Sequence, residues 1–525
     1  MGYDIVIKNG YVIDGTGRPR SRANVCVKDG SIVKVGGGTE TADKTIDAKG
    51  LIVSPGFLDT HNHSDYMLLL NGRAESYIHQ GVTTINIANC GHSPAPLDPR
   101  RKSERTTLMW GLNLTVDWHT FREYFRRLEK SPIGINVRTM VGFGTVREAV
   151  MGFEMRDPTK DETEEMKAHV DQAFDDGVFA LSTGLTYPPQ CYSKTDEVVE
   201  LAKVAAKRGG MYYSHTRGGD EGVREALEIG FKAKIPVQVS HYSPLEDEGY
   251  TVLEDAKKKG LDVAFDAYPY TAGCSYMSGI YIPGWAHEGG VEKMLQRLKD
   301  PDVRNKIADE WTKQSQKRWP NGRGNTPMVA FVSKERFKKY EGLTVNEVAE
   351  IMDLDLIDAM AALLIGNENS VMRVGLFSRN PRGVVKAFRH PLMVLGSDGW
   401  AFAPYGVLHT GRPHPRCYGT YPKTLGLFSR DLGVLPLEEA VMKMTSAAAK
   451  RLLISDRGVI KEEYKADITI FNPETVMDTA TYRDSHQYPV GIEYVIVNGK
   501  VAIDEGKHTG VSAGEVLRYR TGQGD

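Results

Sequence analysis

The sequence has few of the features that mark exported, membrane-spanning or disulfide-rich proteins. Its 525 residues contain only five cysteines, at positions 26, 90, 191, 274 and 417, and no two of them form a CxxC pair. An odd number of scattered cysteines favours free thiols in a reduced, cytoplasmic setting. The first residues, MGYDIVIKNG, carry no signal-peptide pattern. No uninterrupted apolar run is long enough to span a bilayer.

The sequence also lacks a charge excess and the common phosphate-binding motifs. Its 66 basic and 68 acidic residues give a net charge of −2, which argues against a nucleic acid or an anionic membrane as partner. There is no P-loop, no strand-coupled Rossmann glycine fingerprint and no Ser-His-Asp pattern. A composition with 41% hydrophobic and 26% charged residues is typical of a globular enzyme.

Both ends of the chain are rich in β-strand signals. The N-terminal segments YDIVIKNGYVIDG and ANVCVKDGSIVKVGG alternate apolar and polar residues between Gly, Asn and Asp turns. The C-terminal segments KADITIFN and IEYVIVNGKVAIDEGKHTG show the same β-strand pattern. We therefore expect residues 1–55 and 451–525 to form one small β-sandwich, with the middle of the chain inserted between its two halves.

In the middle, strand and helix signals alternate, which predicts parallel βα units. Eight strand segments are predicted: LIVSPGFLD, VTTINIAN, IGINVRTMV, VFALSTG, GMYYS, PVQVS, DVAFDAY and PLMVLGS. The expected fold is an α/β, TIM-like (β/α)8 barrel over residues 56–450. A long stretch before the last strand, from YIPGWAHEGG through RWPNGRGNTP, predicts an inserted subdomain at about 280–340 that covers or shapes the site.

Potential metal ligands directly follow several of these predicted strands. They are His61, His63, Cys90, His215, His241 and Asp398. In a β/α barrel the carboxyl ends of the strands open onto one face, where active sites are built. Imidazole, thiolate and carboxylate groups that meet there predict a zinc site with an acid/base carboxylate.

Each of these residues also has a structural interpretation. His61 and His63 point the same way on an extended segment, but an HxH pair also arises by chance. Cys90 in NIANCGHSPAP is either a thiolate ligand or a small buried hydrophobe, and the nearby His92 is interpreted as a supporting residue. A single His215 or His241 would most often be a core histidine, and only the set favours a metal.

Asp398, in LGSDGW, is either a helix N-cap or the catalytic acid/base. In the functional interpretation it takes a proton from the attacking water and later gives it to the leaving nitrogen. Four residues after predicted strands are candidates for binding a polar substrate, with the arginine gripping a carboxylate: Tyr187, Tyr270, Ser275 and Arg416.

Together these motifs resemble the amidohydrolase superfamily, and within it the D-aminoacylase (N-acyl-D-amino-acid deacylase) family. The resemblance covers nearly the whole chain and is carried by PGFLDTHNHSD, GVTTINIANCGHSPAP, ALSTGLTYPP, YYSHTRGGDEG, VQVSHY, DAYPYTAG, LGSDGW and HPRCYGT. It implies one tightly bound zinc held chiefly by Cys90, His215 and His241. It also implies a second, weaker site formed by His61 and His63, with Cys90 shared and Asp398 nearby.

Two residues depart from the family pattern. Ser243 stands where the resemblance implies a lysine that helps to hold the substrate carboxylate, and Phe143 replaces a histidine of the loop after the third strand. The strand-four segment VFALSTG has no lysine to bridge two metals, and Cys90 is similar in role to the family's bridging thiolate. The metal machinery is intact and the surroundings of the substrate are altered.

The sequence therefore predicts a zinc-dependent hydrolase of linear amides that acts on a small molecule, most simply an N-acyl-D-amino-acid deacylase. One alternative is the same chemistry on another amide, such as a D-dipeptide, a cyclic amide or a xenobiotic, as the change to Ser243 suggests. Two others are a non-catalytic binding protein and a lyase or decarboxylase on the same metal scaffold.

Overall fold

The computed structural model of the chain describes residues 2–38, 40–98, 110–112, 114–318, 326–376 and 378–520. Part of the predicted insertion, residues 319–325, lies outside these ranges. In the described part of the chain, none of the helices is both long and apolar enough to cross a bilayer.

The structure contains 23 short strands among the described residues. In chain order they are β1 Tyr3–Lys8, β2 Tyr11–Val12, β3 Ser21–Arg22, β4 Asn24–Lys28, β5 Ser31–Gly36, β6 Ala42–Asp47, β7 Ile52–Pro55, β8 Phe57–Asp59, β9 Val82–Ile87, β10 Asn136–Thr139, β11 Val141–Gly142, β12 Ala180–Gly184, β13 Met211–His215, β14 Val237–Val239, β15 Val263–Ala267, β16 Gly273–Tyr276, β17 Thr326–Val332, β18 Val371–Leu376, β19 Met393–Leu395, β20 Ile468–Phe471, β21 Ile492–Val497, β22 Lys500–Asp504 and β23 Lys507–His508.

The α-helices lie mostly between the later strands. They are α1 Met67–Leu70, α2 Glu75–Ile78, α3 Phe121–Glu129, α4 Phe143–Met151, α5 Lys160–Asp176, α6 Thr195–Lys207, α7 Asp220–Ala233, α8 Glu248–Lys258, α9 Met277–Tyr281, α10 Val291–Arg297, α11 Pro301–Arg318, α12 Val345–Met352, α13 Leu356–Gly366, α14 Pro381–Arg389, α15 Arg416–Lys423, α16 Leu437–Met444 and α17 Ser446–Arg451. Helix α5 begins with a capping box, in which Thr159 and Glu162 satisfy each other's backbone N–H groups.

Strands from both chain ends pair in one sheet. A four-stranded sheet, β5-β4-β1-β6, is made by the N-terminal segment alone, and a seven-stranded sheet, β23-β22-β21-β20-β7-β2-β3, combines both termini. Side chains from the two sheets share one buried apolar cluster that includes Ile7, Val25, Ile468 and Ile496. The first predicted strand is in fact two strands: β7 joins the terminal sheet and β8 the central one.

The central strands are parallel and follow chain order. One run pairs as β10-β9-β8 and another as β11-β12-β13-β14-β15-β19. Only one residue separates β10 from β11, so a single segment contacts both runs. At the other side, Asn62 and Gly399 form a parallel bridge, and the Asp398 backbone N–H donates to the His61 carbonyl at 2.8 Å. All eight predicted strand segments thus contain observed strands, and helices α5, α6 and α7 alternate with strands β12, β13 and β14.

The segment between β15 and β19 folds around its own small sheet. Strands β16, β18 and β17 are antiparallel, and this sheet reaches from Gly273 to Leu376, beyond both ends of the predicted 280–340. Together with α9 to α13 it encloses a second apolar cluster, which includes Met277, Val329 and Leu363. The insertion therefore places residues of its own strands, as well as its loops, near the ends of the central strands.

Candidate metal centre

The predicted ligand residues converge where the central strands end. Among the described residues, two groups have ligand atoms within 4.8 Å of one another: His61, His63, Cys90 and Asp398, and Cys90, His215 and His241. His215 ends β13, while the others follow β8, β9, β14 and β19. Cys90 belongs to both groups, so its sulfur joins them into one cluster.

Three ring nitrogens surround the Cys90 sulfur at distances close to those between ligand atoms of a zinc ion. Its Sγ lies 3.4 Å from His61 Nε2, 3.4 Å from His215 Nδ1 and 3.8 Å from His241 Nε2. The two nitrogens of His215 and His241 are 2.9 Å apart. A zinc ion with ordinary Zn–N and Zn–S bonds separates its ligand atoms by about 3.3–3.5 Å. The two 3.4 Å distances match this separation and the 2.9 and 3.8 Å distances lie on either side of it, so the donor set is of the kind and size that holds zinc.

Outer hydrogen bonds fix the orientation of the ligand rings. Asp266, a buried residue of β15, accepts from His61 Nδ1 at 3.1 Å and from the His241 backbone N–H at 2.8 Å. The Thr186 hydroxyl lies 3.0 Å from His215 Nε2. Such partners leave the other ring nitrogen free to bind a metal. Asp266 is not among the residues predicted from the sequence, although a carboxylate inside an apolar strand is a usable signal.

Charges in the cluster keep its two acidic members ionised. Burial by itself would raise the pKa of the Cys90 thiol, but His61 and His215 hold it well below its ordinary value. Burial also opposes ionisation of Asp398, yet Arg416 and the neighbouring histidines hold its pKa well below the usual range. A thiolate beside a carboxylate is an electron-rich environment that suits a divalent cation.

Arg416 contacts Asp398 directly. Its Nη1 lies 2.8 Å from Asp398 Oδ2 and donates to the Tyr268 hydroxyl at 2.9 Å. The other oxygen of Asp398, Oδ1, lies 3.1 Å from His63 Nε2. Arg416 is fully buried and does not line the cavity over the cluster. The arginine expected to grip a substrate carboxylate instead holds Asp398 in position.

Three residues of the cluster have a left-handed backbone conformation. The φ angles are 55° at Cys90, 38° at His241 and 56° at Asp398. Non-glycine residues rarely adopt this conformation, which costs about 1–3 kcal/mol where the surroundings impose it. The turns after β9, β14 and β19 therefore adopt a less stable backbone conformation, and this conformation directs the three side chains toward a common point.

A cavity of about 720 Å³ opens over the cluster. Tyr187 and Ser275, both predicted to bind substrate, line it, and their hydroxyls are 3.1 Å apart. The ring of Tyr187 lies 4.9 Å from that of His215. Tyr270 is absent from the lining, and its hydroxyl donates to Asp478 at 3.2 Å.

Two arginines of the insertion that are not among the predicted site residues also line this cavity. They are Arg373 of β18 and Arg379, three residues beyond the end of that strand. Arg379 donates to Ser243 Oγ at 2.9 Å and to the His241 carbonyl at 2.7 Å, and its guanidinium lies 4.4 Å from the Tyr268 ring centre. Their positions depend on how the insertion folds back, which no local pattern reveals.

A protein-family model for the amidohydrolase family, Amidohydro_3, matches residues 44–503. The chain belongs to this family. It is similar to D-aminoacylase from Alcaligenes xylosoxydans xylosoxydans, with 32% identity over 98% of this chain and 97% of the relative.

Solved amidohydrolase structures superpose on the whole chain. N-acyl-D-glutamate deacylase from Bordetella bronchiseptica, solved with zinc and a phosphonate mimic of the tetrahedral intermediate, gives a TM-score of 0.83 at 28% identity and covers 99% of this chain and 100% of that one. A D-aminoacylase studied for its binuclear metal centre gives 0.82 at 30% identity, over 99% and 100% of the two chains. This amidohydrolase is therefore a metal-dependent enzyme that acts on carbon–nitrogen bonds other than peptide bonds.

A second, narrower cavity of about 130 Å³ adjoins the metal cluster of this amidohydrolase. His63, His92 and Tyr187 line both cavities, while Phe153 and Val291 belong to the narrow one alone. His92, expected to be a supporting residue, thus stands on the boundary between the two spaces. An amide at the cluster can extend in two directions, toward an apolar space and toward the arginines.

Proposed function

We propose that this protein is a zinc-dependent hydrolase of linear amides that releases a carboxylate and a D-amino acid from an N-acyl-D-amino acid. The observation that carries the proposal is the convergence of Cys90, four histidines and Asp398 at one point. It is supported by whole-chain similarity to D-aminoacylase and N-acyl-D-glutamate deacylase. The substrate is a small molecule, since the cluster lies in a cavity of about 720 Å³.

In this proposal one zinc ion binds tightly to Cys90, His215 and His241. A second, weaker site consists of His61 and His63, with Cys90 shared and Asp398 nearby. The two overlapping groups of ligand atoms support both sites. When bound, zinc supplies Lewis acidity toward the amide carbonyl and the attacking water.

The protein's own residues move the proton and hold the reacting groups. Asp398, kept ionised and oriented by Arg416, accepts a proton from the attacking water and delivers it to the leaving nitrogen. Burial raises the pKa of Tyr187, so its hydroxyl stays protonated and donates a hydrogen bond to the tetrahedral oxyanion. Ser275, hydrogen-bonded to Tyr187, fixes the direction of that hydroxyl.

Arg379 takes the place of the lysine that the family resemblance implies at position 243. Its guanidinium reaches the Ser243 hydroxyl and lines the cavity. Among the described residues no carboxylate pairs with it. A guanidinium binds a carboxylate through two parallel hydrogen bonds. Arg379 is therefore the anchor of the substrate α-carboxylate in this proposal, in place of Arg416 and Tyr270.

The proposed architecture is a closed (β/α)8 barrel over residues 56–450, with the insertion before its last strand. The contact of residues 136–142 with both parallel runs and the bridge between Asn62 and Gly399 support closure. Residues 1–55 and 451–525 form the β-sandwich, supported by the shared apolar cluster of the two terminal sheets.

Metal analysis and a substrate panel on the purified protein test the function. We expect at least one zinc per chain and hydrolysis of N-acetyl-D-amino acids, with the L-enantiomers at least about 100-fold slower. Loss of activity on dialysis against a chelator, and its return with zinc, would support the metal role. Hydrolysis of D-dipeptides, cyclic amides or simple amides without any activity on N-acyl-D-amino acids would contradict the proposal.

A further inference from the structure

The side chain of Arg373 is a buried cation, and the described residues place no counter-charge against it. The residue is only 8% exposed, and its Nε has no hydrogen-bond partner. No carboxylate of the described residues pairs with it. Asp398, the carboxylate of the metal cluster, is already paired with Arg416. An uncompensated buried charge costs several kcal/mol, so a ligand anion is the simplest way to neutralise it.

The sheet of the insertion points Arg373 toward the reacting centre. Arg373 of β18 is the cross-strand partner of Ser275 in β16, so both side chains project from the same face. Ser275 is hydrogen-bonded to Tyr187, whose ring packs on His215. A chain of direct neighbours therefore runs from the metal cluster to the guanidinium.

Gly375, two residues further along β18, leaves space for this guanidinium. A Cβ added at Gly375 would lie 2.1 Å from Arg373 Nη1. The arginine side chain therefore occupies the space beside Gly375, which the side chain of any other residue at that position would fill. On its other side it packs over the Tyr281 ring at 5.5 Å, which holds the charge in a fixed place without neutralising it.

We propose that Arg373 binds a second carboxylate of the substrate, so that the preferred substrates are N-acyl-D-amino acids with two anionic groups. The inference rests on the proposed deacylase function. The α-carboxylate binds Arg379, and the second carboxylate, carried by the amino-acid side chain or by the acyl group, binds Arg373. The same cavity is lined by both arginines.

Matched neutral and charged substrates test this assignment. We expect kcat/KM for N-acetyl-D-glutamate to exceed that for the isosteric N-acetyl-D-glutamine by at least about 10-fold. N-succinyl-D-leucine compared with N-acetyl-D-leucine tests the acyl group as the source. Arg373→Gln should reduce the preference for the dianion by about 10- to 100-fold, the range for loss of a hydrogen bond to a charged group, and should leave the neutral substrates within about threefold.

Two further variants separate a binding role from a folding role. Gly375→Ala should displace the guanidinium and lower the same preference without removing the charge. Arg336→Gln, which removes an exposed arginine of the insertion, should change neither substrate class. Equal kcat/KM values for charged and neutral substrates, or an Arg373→Gln variant that keeps the preference, would overturn the inference.

A binding measurement keeps this test independent of the deacylase function. D-glutamate should raise the melting temperature of the wild-type enzyme more than D-glutamine does, and the difference should vanish in Arg373→Gln. If no N-acyl-D-amino acid is hydrolysed, the proposed function fails, while this difference still decides the role of Arg373. Equal shifts with both amino acids would count against it.

Discussion

Asp398 has a left-handed backbone, a buried carboxylate and an arginine partner. Its φ is 56° and its Oδ2 lies 2.8 Å from Arg416. Asparagine tolerates left-handed φ better than most residues. Asp398→Asn should therefore preserve the turn and remove only the ability to take up the proton.

Asp398→Asn should lower kcat by about 10²- to 10⁴-fold, the usual contribution of general acid–base catalysis. Zinc content, measured by plasma mass spectrometry, should remain that of the wild type, because Cys90, His215 and His241 are unchanged. Asp431→Asn, which removes a surface carboxylate paired with Arg430, serves as the control. Wild-type turnover by a zinc-loaded Asp398→Asn enzyme would refute the catalytic role.

Strand β15 links the ligands that follow two other strands. It pairs with β14 on one side and with β19 on the other. Its Asp266 thereby reaches His241, which follows β14, and also the ring of His61. A single strand position thus orients two metal ligands from different parts of the chain.

Asp266→Ala should weaken zinc binding by about 10- to 100-fold, as expected when an outer partner of a ligand histidine is lost. Competition with a chromogenic chelator measures the change. The matched control is Asp262→Ala, directly before β15, where the half-exposed carboxylate pairs with Arg451 at 2.8 Å. Unchanged zinc affinity in Asp266→Ala would show that the two histidines need no support from β15.

A buried polar network joins the C-terminal part of the chain to the central strands. Asp467, next to β20, contacts Arg457 at 2.6 Å and accepts from Asn136 of β10 at 2.9 Å. Asn498 donates to the side chain of Asn136 at 2.7 Å. The last described residues continue this attachment, since Leu517 N–H donates to the Val137 carbonyl.

Arg457→Met should lower the free energy of unfolding by about 3–5 kcal/mol, because it leaves the Asp467 carboxylate buried without its cation. Urea denaturation followed by circular dichroism measures this loss. The double variant Arg457→Met/Asp467→Leu should recover part of the stability, since both charges are then gone. A single variant as stable as the wild type would mean that the ion pair does not hold the C-terminal segment in place.

The sequence by itself determined which residues stand at strand ends. Alternating strand and helix signals locate His61, His63, Cys90, His215, His241 and Asp398, because chain order and strand direction fix the end at which each ligand emerges. The β-rich character of both termini was also readable locally, and strands from both ends pair in the mixed seven-stranded sheet. These properties depend on spacing and composition within short segments.

Only the tertiary structure decided how the charged side chains pair. Arg416 holds Asp398, Arg379 reaches Ser243 across 136 residues, and Arg373 remains unpaired in the described part of the chain. These contacts depend on the register of β16 against β18 and on the path of the insertion over the strand ends. Such long-range geometry is fixed by packing of the whole fold, and no local pattern encodes it.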